Sequence, residues 1–334
     1  MENETGPSES SIAAGHDDHN GTWDHEDLFF DKYKQGTAFI VVFILAYLSV
    51  FLLCVVGNLL VIVVVALNRN MRTVTNFFIA NLAAADLLVG VFSLPFNLAD
   101  SILTSWPFGE AMCKTFLTVR VLSVSASVFT LVAIAVDRYY AVVHPTSPRF
   151  TKTAMMYILS AVWIVAAATS APQGLVLTSV TYEGLYTEDG QLLTACEEVW
   201  PGDYYVAGYT FFLFAICYVF PLFIIALLYI KIGRSIWNRS KPGTNHDTQK
   251  KLHVIRMLLV VVVVFTLSWL PLYSLLIATL FSNLTDTTAE ILYHYVSPIV
   301  KGLAFINCGV NPVIYGYYNK NLRKGFSQLI GSTA

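Results

Sequence analysis

The chain has 334 residues, of which 56% are hydrophobic and 13% are charged, and its mean hydropathy is +0.61. This composition is too apolar for a soluble domain and is typical of a protein that crosses a membrane several times. The net charge of −2 is small because 22 acids nearly balance 20 Lys and Arg residues. We therefore expect a lipid bilayer as the surrounding medium and no nucleic acid as a partner.

The segment before the first apolar span, residues 1–37, is polar and acidic. It has neither a basic start nor a short apolar core, so we expect no cleavable signal peptide and expect the first span to act as the signal anchor. We expect this tail to be disordered and glycosylated at Asn3 and Asn20. A third sequon, at Asn283, falls on the same side of the membrane.

Seven apolar stretches are long enough to cross a hydrocarbon core of about 30 Å as helices, which takes about 20 residues each. They cover residues 38–67, 74–99, 111–143, 154–177, 204–237, 250–281 and 288–317. Because a backbone in lipid must satisfy its own hydrogen bonds, the sequence predicts an all-α membrane protein with a seven-helix bundle over residues 38–317. Four internal prolines are expected to kink or loosen spans two, five, six and seven: Pro95, Pro221, Pro271 and Pro312.

Charged residues sort by side when the chain is cut at these spans. Nine acids lie in the tail and ten in loops on the tail's side of the membrane, whereas 15 of the 20 Lys and Arg residues lie on the other side. Loops rich in Lys and Arg stay in the cytoplasm. We therefore predict a multi-pass plasma-membrane protein with its N-terminus outside and its C-terminus in the cytoplasm.

A β-hairpin is predicted between the fourth and fifth spans, because residues 178–182 and 191–196 alternate apolar and polar side chains around a turn. Cys196 lies in this hairpin, and Cys113 lies near the outer end of the third span. Disulfides persist outside the cell, so we expect these two cysteines to be bonded. The bond would hold the hairpin over the outer mouth of the bundle.

An amphipathic eighth helix is predicted after the seventh span, over residues 319–330. Leu322, Phe326 and Leu329 fall on one face there, and basic residues surround that face. Such a helix lies along the membrane surface. We expect it to form most of a short cytoplasmic segment, residues 318–334.

Asp86 lies near the middle of the second span, where an ionised carboxylate is costly and indicates function. Polar side chains that can meet it stand in other spans, at Asn58, Ser127, Asn307 and Asn311. Their hard oxygen atoms suit a sodium ion held together with Asp86. The alternative is a protonated, hydrogen-bonded aspartate, and no other cofactor is expected.

Recognisable motifs follow one another along the spans in a fixed order. They are Gly57-Asn58, the stretch from Asn81 to Asp86, Cys113, Asp137-Arg138-Tyr139, Trp163, Pro221 with Tyr229, the stretch from Phe265 to Pro271, and Asn311-Pro312 with Tyr315. Residues 38–330 therefore resemble rhodopsin-like (class A) G-protein-coupled receptors. The resemblance implies a non-enzymatic receptor that activates heterotrimeric G proteins, with arrestin and a receptor kinase as further partners.

The resemblance also implies a switch. Arg138 would be held by its neighbouring aspartate when inactive, and a sixth helix hinged at Pro271 would swing outward on activation. The implied switch residues are Asp137, Arg138, Tyr139, Tyr229, Phe265, Trp269, Pro271, Asn311, Pro312 and Tyr315. Lys251 stands where some receptors carry an acid that pairs with the arginine. That lock is not expected here, and basal activity should be appreciable.

Four longer stretches of sequence resemble one particular group of these receptors. Residues 76–90, 106–109, 125–137 and 265–272 are similar to neuropeptide FF receptors and their SIFamide and RFamide relatives. Ligands of that group typically end in an arginine and an amidated aromatic residue. The resemblance thus implies a C-terminally amidated, basic peptide ligand, with a peptide of the neuropeptide Y or orexin type as the alternative.

A ligand guanidinium that enters a low-dielectric pocket needs a carboxylate partner. Glu198 is the first candidate, because the disulfide two residues earlier would fix it over the pocket mouth. The residues expected to bind ligand are Glu198, Arg120, Asp100, Lys301, Trp269, Glu197 and Trp200, with Asp203 and Glu290 as further acidic candidates.

Two basic residues lie in the outer half of the predicted bundle, where the other charged ligand candidates are acidic. Arg120 lies seven residues after Cys113, about 10 Å deeper in the membrane, and Lys301 lies in the seventh span. Related peptide receptors usually carry a neutral glutamine at the position of Arg120. This arginine either binds a ligand carbonyl or carboxylate, or pairs internally with Asp100 or Glu198, because buried charges are seldom left unpaired.

Three other functions fit the residues less well. A photoreceptor would need a lysine where Phe305 stands. A transporter would use Asp86, Arg120 and Lys301 as translocation charges, but the paired inverted repeats and broken helices of transporters are not evident. An intramembrane enzyme would need a nucleophile with a base, or a metal cluster, and the spans show neither. A peptide receptor remains the best interpretation.

Overall fold

The computed structural model describes residues 28–146, 150–239, 246–282 and 285–331. Seven long apolar helices form the described bundle, which confirms the predicted architecture. They are α1 (Thr37–Leu67), α2 (Val74–Ile102), α3 (Gly109–Val143), α4 (Lys152–Val176), α5 (Asp203–Asn238), α6 (His246–Phe281) and α7 (Thr287–Tyr318). The predicted sequons at Asn3, Asn20 and Asn283 lie outside the described residues.

Prolines mark two of the irregular turns. α2 is interrupted at Ser93, two residues before Pro95. α5 contains a π-turn, Ala215–Val219, that ends two residues before Pro221. Proline lacks a backbone donor and crowds the preceding turn, so the helix widens or bends there. The internal prolines of α6 and of the last part of α7 instead lie inside continuous helix.

A small sheet covers one end of the bundle, which we call the sheet end. Its strands are β1 (Leu28–Phe30), β2 (Leu177–Thr187) and β3 (Leu192–Glu198), in the order β1-β2-β3. β2 and β3 are antiparallel and form the predicted hairpin. Gly190 in the connecting turn has a φ of 73°, a left-handed conformation that suits glycine.

The end of the N-terminal segment differs from the expected disordered tail. β1 pairs in parallel with β2, and Phe29 stacks on Tyr186 with 5.6 Å between ring centroids. The Gln35 side-chain amide donates to the backbone oxygens of Ser101 at 2.9 Å and His294 at 2.7 Å. These bonds join residues 28–36 to α2, α7 and the hairpin, so this part of the predicted tail is folded.

The opposite end of the bundle carries the predicted eighth helix, α8 (Lys320–Gly331), and we call it the α8 end. The Asn319 side chain accepts hydrogen bonds from the backbone amides of Asn321 and Leu322, which satisfies two donors at the helix start. Leu322 is fully buried against the bundle. The apolar face of α8 therefore docks on the helices, as its amphipathic pattern indicated.

α3 runs through the centre of the bundle and packs against α2, α4, α5 and α6. Its Thr130 hydroxyl accepts a hydrogen bond from Asn81 of α2, whose side-chain oxygen in turn accepts one from Trp163 of α4, both at 2.9 Å. On the far side, Gly57 of α1 lies so close to α7 that a Cβ atom would stand 2.8 Å from Pro312. These contacts join α2 to α3 and α4, and α1 to α7.

Candidate functional site

The sheet end is tied to α3 by the disulfide between Cys113 and Cys196, as predicted. The bond fixes the last residues of β3 above the bundle. Successive side chains of a strand point to opposite faces, so Glu197 and Glu198 must face different surroundings.

Glu198 faces the helices. Its carboxylate accepts a hydrogen bond from the Gln173 side-chain amide of α4 at 2.6 Å and another from the Trp200 indole at 2.9 Å. The residue is nevertheless exposed, so its carboxylate is oriented by neutral donors and still open to solvent. A cation arriving at the sheet end meets a carboxylate whose position is already fixed.

Glu197 lies on the other face of β3 and accepts a hydrogen bond from the Tyr182 hydroxyl at 2.6 Å. That bond holds the phenol in its protonated form and raises the pKa of Tyr182. The contact is exposed. The structure therefore separates two adjacent ligand candidates, because Glu198 and Glu197 lie on opposite faces of β3.

A cavity of about 60 Å³ opens among α3, α5 and α6 below the sheet. Arg120, half-buried, is the charged residue in its lining, and Trp269 and Tyr273 form part of its wall. The remaining lining is mostly aliphatic: Val121, Val124, Leu213, Leu272 and Leu276, with Ser125 and Cys217. The cavity suits a large apolar side chain beside a positively charged group.

The other predicted charges of the sheet end do not line this cavity. Asp100 of α2 and Lys301 of α7 form an ion pair, with 3.8 Å between Oδ2 and Nζ. Asp203 begins α5 and Glu290 lies near the start of α7, and both are exposed. Within the described part of the chain, neither of these last two acids forms an ion pair.

A polar centre lies midway along the bundle at buried Asp86. Asn311 of α7 donates to one carboxylate oxygen at 2.7 Å, and Ser127 of α3 approaches the other at 3.4 Å. Asn307 lines the same small cavity. The side-chain oxygens of Asn307 and Asn311 are buried and have no hydrogen-bond donor among the described residues. Asp86, Ser127, Asn307 and Asn311 are thus brought together as predicted, whereas the Asn58 amide donates to the backbone oxygens of Cys54 and Cys308.

An aromatic stack connects the cavity to this centre. Trp269 lines both spaces, and its ring lies 6.2 Å from Phe265 on one side and 6.2 Å from Tyr273 on the other. The Trp269 indole nitrogen is buried and has no acceptor among the described residues. Any group that fills the cavity therefore touches the same side chain that borders Asp86.

At the α8 end, Arg138 is closely engaged. Its guanidinium donates to the Asp137 carboxylate and to the Thr75 hydroxyl of α2. Thr75 in turn donates to the same carboxylate at 2.9 Å. Tyr139, beside this triad, forms a hydrogen bond with His144 at 3.3 Å. The arginine is held by α2 and α3, and the side chain of Lys251 lies outside the described residues.

Two tyrosines of the predicted switch lie apart from this triad's hydrogen bonds. Tyr315 is fully buried, and its hydroxyl has no partner in the described residues. Tyr229 is half-buried and packs against Val142, Ile232 and Ile255. Three residues that contact the site were not predicted from the sequence: Gln173, Thr75 and Tyr273. Gln173 alone carried a signal, as the one amide side chain in the fourth predicted span.

The order of these features along seven helices is matched by a known family. A family model described as 7 transmembrane receptor (rhodopsin family) fits residues 57–315 of the chain. The chain belongs to this receptor family. The receptor is accordingly a multi-pass membrane protein, and its family is not one of enzymes.

Several curated proteins are similar to this receptor over most of its length. Neuropeptide FF receptor 2 of Mus musculus is 42% identical, with 89% of this chain and 74% of that protein covered. Neuropeptide FF receptor 1 of Rattus norvegicus is 40% identical, with 89% and 72% covered. The RYamide receptor of Drosophila melanogaster is 35% identical, with 93% and 68% covered. The resemblance to the neuropeptide FF group is confirmed.

Proposed function

We propose that this receptor binds a basic, C-terminally amidated neuropeptide of the RFamide type at its sheet end. The observation that carries the proposal is the Glu198 carboxylate, which is oriented by Gln173 and Trp200 yet exposed above the cavity that Trp269 and Tyr273 border. A ligand arginine can form a charge-assisted pair there, and the next aromatic residue can fill the cavity. The names of the similar proteins support this ligand class.

The proposed orientation follows from charge. The sheet end, with its acids and the disulfide, faces outside the plasma membrane, and the α8 end with its basic residues faces the cytoplasm. An acidic outer face raises the local concentration of a cationic peptide, and salt weakens that effect. The tail then stands outside, where Asn3, Asn20 and Asn283 are available for glycosylation.

The proposed mechanism is a shift between two conformations of the bundle. A ligand in the cavity presses on Trp269, which contacts Phe265 on the helix that contains Pro271. Outward movement of α6 opens a cleft at the α8 end, and Arg138 leaves its aspartate to meet a heterotrimeric G protein. Tyr229 and Tyr315 supply hydroxyls toward the released arginine. Arrestin and a receptor kinase are proposed as further cytoplasmic partners.

A sodium ion is proposed as an allosteric partner at Asp86. The two unpaired amide oxygens of Asn307 and Asn311, with the Ser127 hydroxyl, fit the donor set of a hard cation. A bound cation would neutralise the aspartate at the level of Trp269. It would thereby stabilise the conformation in which these helices stay together.

The proposed function is tested by nucleotide exchange on purified G proteins in membranes that carry the full chain. We expect peptides ending in Arg-Phe-amide to stimulate exchange, and neuropeptide Y and orexin-type peptides to be weaker. Stimulation only by the latter would assign the receptor to the alternative ligand class. Failure of every amidated peptide on every G protein would contradict the proposal.

A further inference from the structure

The charge on Arg120 is poorly compensated. Among the described residues, ion pairs within 4.0 Å join Lys114 to Glu110, Arg138 to Asp137 and Lys301 to Asp100, and none includes Arg120. The acids that attract its guanidinium are Glu198 and, more weakly, Asp100. Both already interact with other groups: Glu198 with two neutral donors, Asp100 with a lysine. A guanidinium in an apolar cavity without a close anion is energetically costly.

The surroundings of Arg120 define the chemistry of a missing partner. Its cavity is lined by aliphatic side chains and by the rings of Trp269 and Tyr273, which suit an aromatic side chain. A group that pairs with Arg120 must therefore be attached close to such a ring. In a peptide, the backbone terminus of a C-terminal aromatic residue meets this requirement.

We infer that Arg120 binds the C-terminal carboxylate of an Arg-aromatic peptide, so that this receptor accepts the free-acid form at least as tightly as the amide. The inference rests on the proposed function and deepens it. A carboxylate offers two charged acceptors to the guanidinium fork. A carboxamide offers one neutral oxygen, and its two N–H donors find no acceptor on an arginine.

Lys301 supplies a matched control for this assignment. It is a second base of the sheet end, but its ammonium group lies 3.8 Å from the Asp100 carboxylate. A paired base gains less from a ligand anion than an unpaired one. The acid-to-amide preference should therefore depend on Arg120 and not on Lys301.

The test measures competition by two peptides that differ only at the C-terminus, Arg-Phe-acid and Arg-Phe-amide, against a labelled amidated peptide on membranes with the full chain. In the unchanged receptor, we expect the acid to bind at least as tightly as the amide. In Arg120→Gln, the acid should weaken relative to the amide by about tenfold or more. Arg120→Lys should keep part of the preference, because it retains a positive charge.

The preference is read as a ratio within each variant, so it does not depend on the amount of folded receptor. An unchanged ratio in Arg120→Gln, or a ratio that moves in Lys301→Gln instead, would overturn the inference. An amide that binds more tightly than the acid in the unchanged receptor would also overturn it, while leaving the proposed function intact. Failure of both peptides to bind would overturn the proposed ligand class and this inference together.

Discussion

Two arginines on α3 show how different the ends of this bundle are. Arg120 and Arg138 are 18 residues apart, which is about 27 Å along a helix. Arg138 is held by Asp137 and Thr75, whereas Arg120 has no ion pair within the described residues and faces a cavity. An arginine therefore has an anionic partner at the α8 end and lacks a close one at the sheet end, among the described residues. A ligand anion can supply the partner for Arg120, and a conformational change can separate Arg138 from Asp137.

The largest effect is expected at the α8 end, from replacement of Arg138. Arg138→Ala should reduce agonist-stimulated nucleotide exchange to the level of membranes without receptor, because the proposed contact with the G protein is lost. Agonist should still bind in the absence of G protein, because Arg138 does not line the ligand cavity. Retained signalling would exclude the role proposed for Arg138.

The next largest effect is expected at the sheet end, on the affinity for peptides. Glu198→Gln should weaken an arginine-containing peptide by about 10- to 100-fold, because a charge-assisted pair becomes a neutral hydrogen bond. The same change should weaken a citrulline analogue far less. Glu197→Gln is the matched control, since that acid faces away and pairs with Tyr182. Equal losses for both peptides would reject a charge pair at Glu198.

A smaller effect, on agonist affinity, is expected from the polar centre around Asp86, which lies between the two ends of the bundle. Replacing choline chloride by sodium chloride at constant ionic strength should lower agonist affinity about fivefold. Asp86→Asn removes the charge that attracts the cation and should abolish this difference. Sodium sensitivity that survives in Asp86→Asn would place the ion elsewhere.

The smallest effect is expected at Thr75. Thr75→Val removes the hydroxyl that bonds both Asp137 and Arg138, so basal exchange should rise about two- to fivefold. Thr75→Ser keeps the hydroxyl and should leave basal exchange nearly unchanged. If both variants behave alike, the hydroxyl does not hold the arginine.

Most of the fold could be predicted because its signals are local. Seven apolar runs, an alternating hairpin and an amphipathic end segment each specify an element without reference to the rest of the chain. The strand at Leu28–Phe30 could not be predicted in this way. Its order depends on a partner, β2, about 150 residues further along the chain.

The candidate site could also be predicted only where its signals are local. Sequence motifs identified Asp86, Arg138 and Trp269, because each is an unusual residue at a fixed place in a span. They did not reveal that Thr75 bonds to Arg138 or that Gln173 orients Glu198. Such contacts join side chains from different helices, and no spacing within one helix reports them.

By itself, the sequence determined the class of the protein and its seven spans, since hydropathy acts through the solvent each segment prefers. Its sorted charges predict which end faces the cytoplasm. Only the tertiary structure decided which charges are paired. A buried charge takes its energy from neighbours within a few ångströms, and packing sets those neighbours. Arg120 and Arg138 are the same residue type on the same helix, and their surroundings make one a candidate ligand site and the other a candidate part of the switch.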